Sequence, residues 1–381
     1  MSEQFFLHIG AFKTGTSYLQ GVLSANARDL RAAGVLVAPD RSGAVHDVVR
    51  FQGRGKDHLR SVRGSWAELV ERARDFEGRA TVLSHEYLSL QGPKRADKIV
   101  ASLEGLETHV VLTVRDAAAV LPAQWQTAAR NRGSHTWPEY VAAARDERTR
   151  RRSHTFLHAQ RIGTLLRLWR TRVGLENLHV VTVPPPTAPR HVLWDRFAGV
   201  LGVDPAAAKV LDVPSNPSAG YATAHLLCLV HAEVARRDLP RKPVQRMAVF
   251  VAHRAASRRA EEPTPPLDEE TLEFAAAWNR EVKRVVLRSR VEVTGDLGDL
   301  VPKADLSAAR PLLPPADKDV LTAAHGVADT LDLLGPERPA ARRWSTVEDA
   351  VTGIADLMAA VVDCGGVQRL NPRGTALLDD G

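Results

Sequence analysis

Short runs of apolar residues recur along the first half of the sequence, each followed by a stretch with helical spacing, and no other feature constrains the fold as much. Residues 5–9 form the first run, closing at Gly10. They give way to 16–31, where Leu19, Val22, Leu23 and Leu30 fall at helical intervals. Runs at 34–37, 80–83, 109–114 and 179–183 repeat the pattern, with helical stretches at 66–76, 94–103, 117–130, 155–171 and 192–200. Short β-branched runs without polar alternation predict strands buried on both faces. Strands and helices taking turns predict an α/β fold with a mostly parallel central sheet flanked by helices.

Beyond residue 216 only helices are predicted, at 221–237, 244–259 and 267–290. After the proline-rich 311–315 come two more, at 320–334 and 347–362. The expected organisation is an α/β nucleotide-binding core over 1–215, its helical completion over 216–305 and a helical C-terminal appendage over 306–381.

At 381 residues and 44% hydrophobic, the chain can fill a sizeable core, which excludes a disordered or collagen-like class. Its two cysteines, Cys228 and Cys364, give no disulfide framework and suit a reducing compartment. No apolar run approaches the roughly 20 residues of a membrane span, and the N-terminus lacks a signal-peptide pattern, so a cytoplasmic protein is expected. The excess of 51 Lys+Arg over 45 Asp+Glu is mostly arginine and allows an anionic ligand. The densest basic run, 145–152, carries no nucleic-acid module signature, so no nucleic-acid partner is expected.

The chemistry concentrates in residues 5–20, FFLHIGAFKTGTSYLQ. Strand, tight loop and helix follow one another, the context a phosphate-cradling loop requires. Gly10 and Gly15 let the backbone turn and approach a ligand. The amides of Gly15, Thr16, Ser17 and Tyr18, at the positive end of the helix dipole, face an anion. Lys13 adds a point charge, and the hydroxyls of Thr14, Thr16 and Ser17 add donors. The loop is not a Walker A sequence, which needs lysine directly after the second glycine; here Thr16 follows Gly15.

A strand followed by Lys13-Thr14-Gly15-Thr16-Ser17 and a helix resembles the 5′-phosphosulfate loop of the sulfotransferases that use 3′-phosphoadenosine 5′-phosphosulfate (PAPS). The resemblance spans roughly residues 5–302 and is dense up to about 140. It implies a P-loop NTPase-like core and in-line transfer of a sulfuryl group to a hydroxyl, or less readily an amine. Lys13, Ser17 and the helix N-terminus would then stabilise charge on the leaving phosphate oxygen. It further implies that Arg115, ending the strand 109–114, holds the donor's 3′-phosphate. The serine that the family carries eight residues later is Ala123 here, leaving Gln124, Gln126 or the Trp125 indole to donate instead. The family's catalytic base falls in 82–87, with Glu86 the first candidate and His85 the second. Helix capping by Ser84, with Glu86 in the first turn, is the structural alternative. Asn216-Pro217-Ser218 resembles a further family stretch.

No metal is expected in this scheme, and the acceptor is a small molecule, a glycan or a lipid hydroxyl. Segments 41–63 and 133–140 are candidates to shape its pocket, with Trp125 and Trp137 near the nucleotide edge. The rival readings are an ATP–magnesium kinase or nucleotidase, for which Asp116 is the one evident metal-binding carboxylate, and a non-catalytic nucleotide-binding protein. His225, Cys228 and His231 list plausible zinc ligands, but residues six apart on a helix diverge, so no metal site is expected there. His154 and His158 lack the glutamate of a zinc protease.

Overall fold

The computed structural model describes residues 3–39, 41–51, 55–131, 133–146, 155–213, 219–258, 262–301, 303–335, 344–371 and 377. Asn216-Pro217-Ser218, His154 and the basic run beyond residue 146 lie outside the described residues.

Six strands, β1 (Gln4–His8), β2 (Val35–Val37), β3 (Ala80–Ser84), β4 (Glu107–Val114), β5 (Leu178–Thr182) and β6 (Glu292–Thr294), form one sheet in the order β2-β3-β1-β4-β5-β6. Every pairing is parallel. The first half supplies α1 (Thr16–Ala25), α2 (Ala27–Ala32), α3 (Arg41–Val49), α4 (Gly55–Ser61), α5 (Ser65–Arg74), α6 (Pro93–Ser102), α7 (Ala117–Arg130) and α8 (Trp137–Arg145). Then come α9 (Thr155–Ala159), α10 (Ile162–Val173), α11 (His191–Val200), α12 (Tyr221–Arg236), α13 (Arg241–Arg258), α14 (Glu269–Ser289), α15 (Asp317–Asp332) and α16 (Val347–Asp363). The expected α/β class therefore holds.

Side chains alternate across β1, which is why the sheet has two cores. Phe5 and Leu7 join Leu83, Val110 and Leu112 on one face, beneath Leu69 of α5, Ile99 of α6 and Trp169 of α10. Phe6 joins Val82, Val111 and Val181 on the other, beneath Leu19 and Leu23 of α1 and Phe197 of α11.

The compact units are not the consecutive stretches expected from the sequence. One comprises 1–120, 157–215 and 273–304; the other comprises 121–156, 216–272 and 305–381. Within the second, α12, α13, α15 and α16 share a single core of Leu227, Val230, Met247, Phe250, Val327, Leu331, Ile354 and Met358. Helices 317–363 are thus half of a bundle rather than an appendage. Helical spacing shows which face is apolar but not which helix covers it.

Local differences have identifiable causes. The predicted helix 16–31 breaks at Asn26, whose amide donates to the carbonyls of Val22 at 2.8 Å and Val210 at 2.7 Å while its oxygen accepts the Val210 N–H. The predicted helix 155–171 breaks at Gln160, which turns to donate to the Phe12 carbonyl. Strand β6 has no apolar run to announce it; three residues at the sheet edge take their register from β5. Helix α8, absent from the helices expected from the sequence, opens on a Thr136/Glu139 capping box, with Thr136 N–H and Oγ1 both donating to Glu139 Oε2 at 2.8 Å.

Candidate active site

Strand β1 lies between β3 and β4, and from β1 the chain runs first to the β2–β3 side and then across to β4. In open parallel sheets, ligands bind outside the carboxyl ends of the strands at such a reversal. The residues following the three central strands are the 9–15 loop, His85-Glu86 and Arg115-Asp116, so the topology gathers the principal sequence candidates at one edge.

The loop is held from several sides. Ala11 N–H donates to the Thr113 carbonyl and Thr113 N–H to the Gly10 carbonyl, extending the β1–β4 pairing into the loop. Gln160 Nε2 donates to the Phe12 carbonyl at 2.7 Å, and Arg115 Nη1 to that of Lys13 at 3.2 Å. Thr14 and Thr16 both donate their hydroxyls to the Ala11 carbonyl, at 2.7 and 3.2 Å. These two side chains are buried and build the loop from within. Ser17 is exposed.

Gly15 caps α1 at φ 84° with no side-chain cap, and a Cβ there would sit 2.4 Å from Leu193 Cδ2. The first bond of the helical ladder runs from Leu19 N–H to the Gly15 carbonyl, so the amides of 15–18 precede it. Lys13 occupies the left-handed region at φ 62°. The Arg190 guanidinium lies over the Tyr18 ring, 5.6 Å from its centre, and the Tyr18 hydroxyl is buried without a hydrogen-bond partner among the described residues. Arg190 is a cation near the loop that sequence reading missed, because its position depends on where α11 packs.

Glu86 opens a short 3-10 turn, Glu86–Leu90, capped by His85, whose Nδ1 accepts the Tyr87 N–H at 3.3 Å. The cap is therefore His85 rather than Ser84. Gln20, on α1, donates through Nε2 to Glu86 Oε2 at 3.3 Å and to the Ser84 carbonyl at 3.0 Å. His85 Nδ1 lies 3.9 Å from Glu86 Oε2. A Cβ on Gly10, at φ 92°, would lie 3.2 Å from Glu86 Cβ, so the loop and the carboxylate-bearing turn are in close contact. Beside Glu86, the Tyr87 ring packs against Phe12, His46 and Phe51. His46 and Phe51 come from the segment expected to shape the acceptor pocket, part of which is helix α3.

Arg115 is half-buried, and desolvation lowers its pKa, opposed by the charge of Asp116. Burial raises the Asp116 pKa, opposed by hydrogen bonds from Asn279 and from the amides of Ala118 and Ala119 at the start of α7. Asn279 also accepts the Ala117 N–H at 2.9 Å and donates to the Val301 carbonyl at 2.9 Å. Asp116 thus caps α7 rather than standing ready as a metal ligand.

Gln124 belongs to the second compact unit, where it lines a cavity of about 550 Å³ with Thr127, Asn131, His231 and Leu239. In the same unit the Trp125 indole donates to the His135 carbonyl at 2.9 Å, which commits the donor that the sequence had offered for a phosphate. Both Trp125 and Trp137 are fully buried against each other. His231 is bonded to the Ala129 carbonyl, and burial pushes the Cys228 thiol up to about 12. No group of three metal-ligating side chains occurs among the described residues, and no helix among them is long and apolar enough to cross a membrane.

No protein-family model matches the chain, and no curated protein matches it. Among solved structures, it is similar to a sulfotransferase from Alicyclobacillus acidocaldarius. That likeness covers 65% of this chain and 96% of the other, at 15% identity and a TM-score of 0.40.

Proposed function

We propose that the protein is a sulfotransferase that transfers a sulfuryl group from PAPS to an acceptor hydroxyl. The observation that carries this reading is the meeting of three groups at the ends of adjacent strands. These are the uncapped loop 10–15 with Lys13 after β1, Glu86 after β3 and Arg115 after β4. The loop fits an anionic donor. Gly10 and Gly15 give it the positive-φ turns that a side chain would oppose, a Cβ there meeting Glu86 or Leu193, and the α1 amides and Lys13 supply donors and charge.

PAPS supplies the group transferred. Lys13, the Ser17 hydroxyl and the α1 N-terminus would meet negative charge developing on the phosphate side, and Arg115 would hold a phosphate of the nucleotide. Glu86, kept in place by Gln20, would accept the acceptor's proton. His85 is the less suited base at Nδ1, because that atom already accepts the Tyr87 N–H. The acceptor hydroxyl, on a small molecule, a glycan or a lipid, would approach Glu86 beside the Tyr87 cluster.

Calorimetric titration with adenosine 3′,5′-bisphosphate, against ATP and ADP with and without magnesium, tests the reading. Metal-independent binding of the bisphosphate in preference to ATP is expected. Preference for ATP with magnesium overturns the reading in favour of a kinase or nucleotidase, and binding of neither makes the fold a non-catalytic scaffold.

A further inference from the structure

A single polar chain crosses the three central strands beneath the candidate site. Ser84 Oγ of β3 lies 2.7 Å from His8 Nδ1 of β1, and His8 Nε2 lies 3.2 Å from Thr113 Oγ1 of β4. Thr113 Oγ1 lies 2.5 Å from Thr14 Oγ1 in the loop, and Thr14 Oγ1 lies 2.7 Å from the Ala11 carbonyl oxygen. All four side chains are buried.

Proton counting fixes the direction of every bond. A carbonyl only accepts, so the one hydroxyl proton of Thr14 goes to Ala11. Thr113 must then donate to Thr14, which leaves its own oxygen to accept from His8. The His8 proton is therefore on Nε2, and Nδ1 accepts from the Ser84 hydroxyl. A fully buried imidazole with hydroxyls as its polar neighbours has nothing to offset a charge, and desolvation drives its pKa down to about 3.

We propose that His8 is a positioning residue: as a neutral imidazole protonated at Nε2, it orients Thr113 and Thr14 so that the phosphate loop is held in its anion-receptive form. Residues 8 and 84 lie at the ends of β1 and β3, so the same chain joins the loop to the strand that delivers Glu86. The hydrogen-bond geometry stands by itself, whereas its effect on nucleotide binding rests on the proposed donor site. The alternative role is that of a satisfied polar group within the sheet, with no influence on the loop.

Two variants and one spectrum separate these roles. Thr113→Val keeps the side-chain shape but removes the relay hydroxyl, whereas Thr113→Ser keeps the hydroxyl. Thr113→Val is expected to weaken binding of adenosine 3′,5′-bisphosphate about tenfold or more, with Thr113→Ser within about twofold of wild type. Long-range nitrogen–proton correlation on histidine-labelled protein is expected to show His8 protonated at Nε2 alone, unchanged between about pH 8 and about pH 5. A proton on Nδ1, a charged ring in that range, or full bisphosphate affinity in Thr113→Val overturns the proposal.

If wild type binds no bisphosphate, the donor-site reading fails on its own, and amide hydrogen exchange at residues 10–15 decides the relay. Exchange there should quicken in Thr113→Val and not in Thr113→Ser. Unchanged exchange in Thr113→Val overturns the proposal.

Discussion

Gln20 bonds to Glu86 across the edge of the sheet, its Nε2 lying 3.3 Å from Glu86 Oε2 and 3.0 Å from the Ser84 carbonyl. One side chain on α1, the helix after the 9–15 loop, thereby contacts both the end of β3 and the carboxylate that follows it. On the proposed reading, a base positioned from α1 would keep a constant relation to the donor, which is what proton removal during an in-line transfer requires. Glu86→Gln keeps the shape and would lose the proposed base. Sulfuryl transfer in this variant is expected to fall about 10²- to 10⁴-fold, with bisphosphate affinity within about twofold of wild type. Gln20→Leu is expected to lose rate by a smaller factor, about tenfold. A steady-state assay once an acceptor is in hand, with calorimetry for the nucleotide, checks both.

Arg115 would combine two tasks on the proposed reading. Its guanidinium donates to the Lys13 carbonyl, and it stands at the strand end where a phosphate would be received. A lysine there gathers its three donors on one nitrogen and lacks the planar fork that spans the carbonyl and two phosphate oxygens. Arg115→Lys is therefore expected to weaken bisphosphate binding about 10- to 100-fold, although the formal charge is unchanged. Titration of the two proteins at equal ionic strength measures the difference, and an affinity equal to wild type would remove Arg115 from the nucleotide site.

Acid should destabilise the fold through His8. Its pKa is about 3 in the native protein against 6.5 for the unperturbed group, because burial disfavours the charged form. Between those values the unfolded chain holds a proton that the native state refuses, so stability falls as pH falls from about 6.5 toward about 3. The contribution of one such group is at most about 1.4 kcal/mol per pH unit. His179 and His225, also pushed down by burial, act with the same sign and are retained in a His8→Phe variant. Urea midpoints near pH 7 and pH 5 should therefore show a shallower acid loss in His8→Phe, with one proton fewer taken up on unfolding.

Much of this fold was readable where burial is strongest. The runs 5–9, 80–83, 109–114 and 179–183 are strands buried on both faces, and their mainly apolar, β-branched character, without charged residues, is the record of that burial. The edge strand Glu292–Thr294 left no such record, and α4, a largely polar helix, has no apolar stripe to find. The candidate site shows the same division. The loop was visible in its glycines and Lys13, and Glu86 and Arg115 were visible as strand-end residues. Gln20, Gln160 and Arg190 were not, because each acts through a partner distant in the chain: Glu86, Phe12 and Tyr18. Thr14 and Thr16 were read as donors to a ligand, yet their hydroxyls are committed to the Ala11 carbonyl, a distinction that composition and spacing do not contain.

The C-terminal helices offer the sharpest test of the organisation. Read along the chain, residues 306–381 look removable. In the structure, Val327 and Leu331 of α15 and Ile354 and Met358 of α16 share a core with Leu227 and Val230 of α12 and Met247 and Phe250 of α13. Each large apolar side chain returned to water costs about 1.5–3 kcal/mol, so uncovering the four named on α12 and α13 costs about 6–12 kcal/mol, comparable with the roughly 5–15 kcal/mol that stabilises a typical domain. A chain ending at residue 305 is therefore expected to aggregate or to bind a hydrophobic dye, with α12 and α13 losing protection from hydrogen exchange. Size-exclusion chromatography and dye fluorescence measure this directly. A monomeric truncated chain with native near-ultraviolet circular dichroism would show that α12 and α13 find their core elsewhere, and would restore the appendage that the sequence suggested.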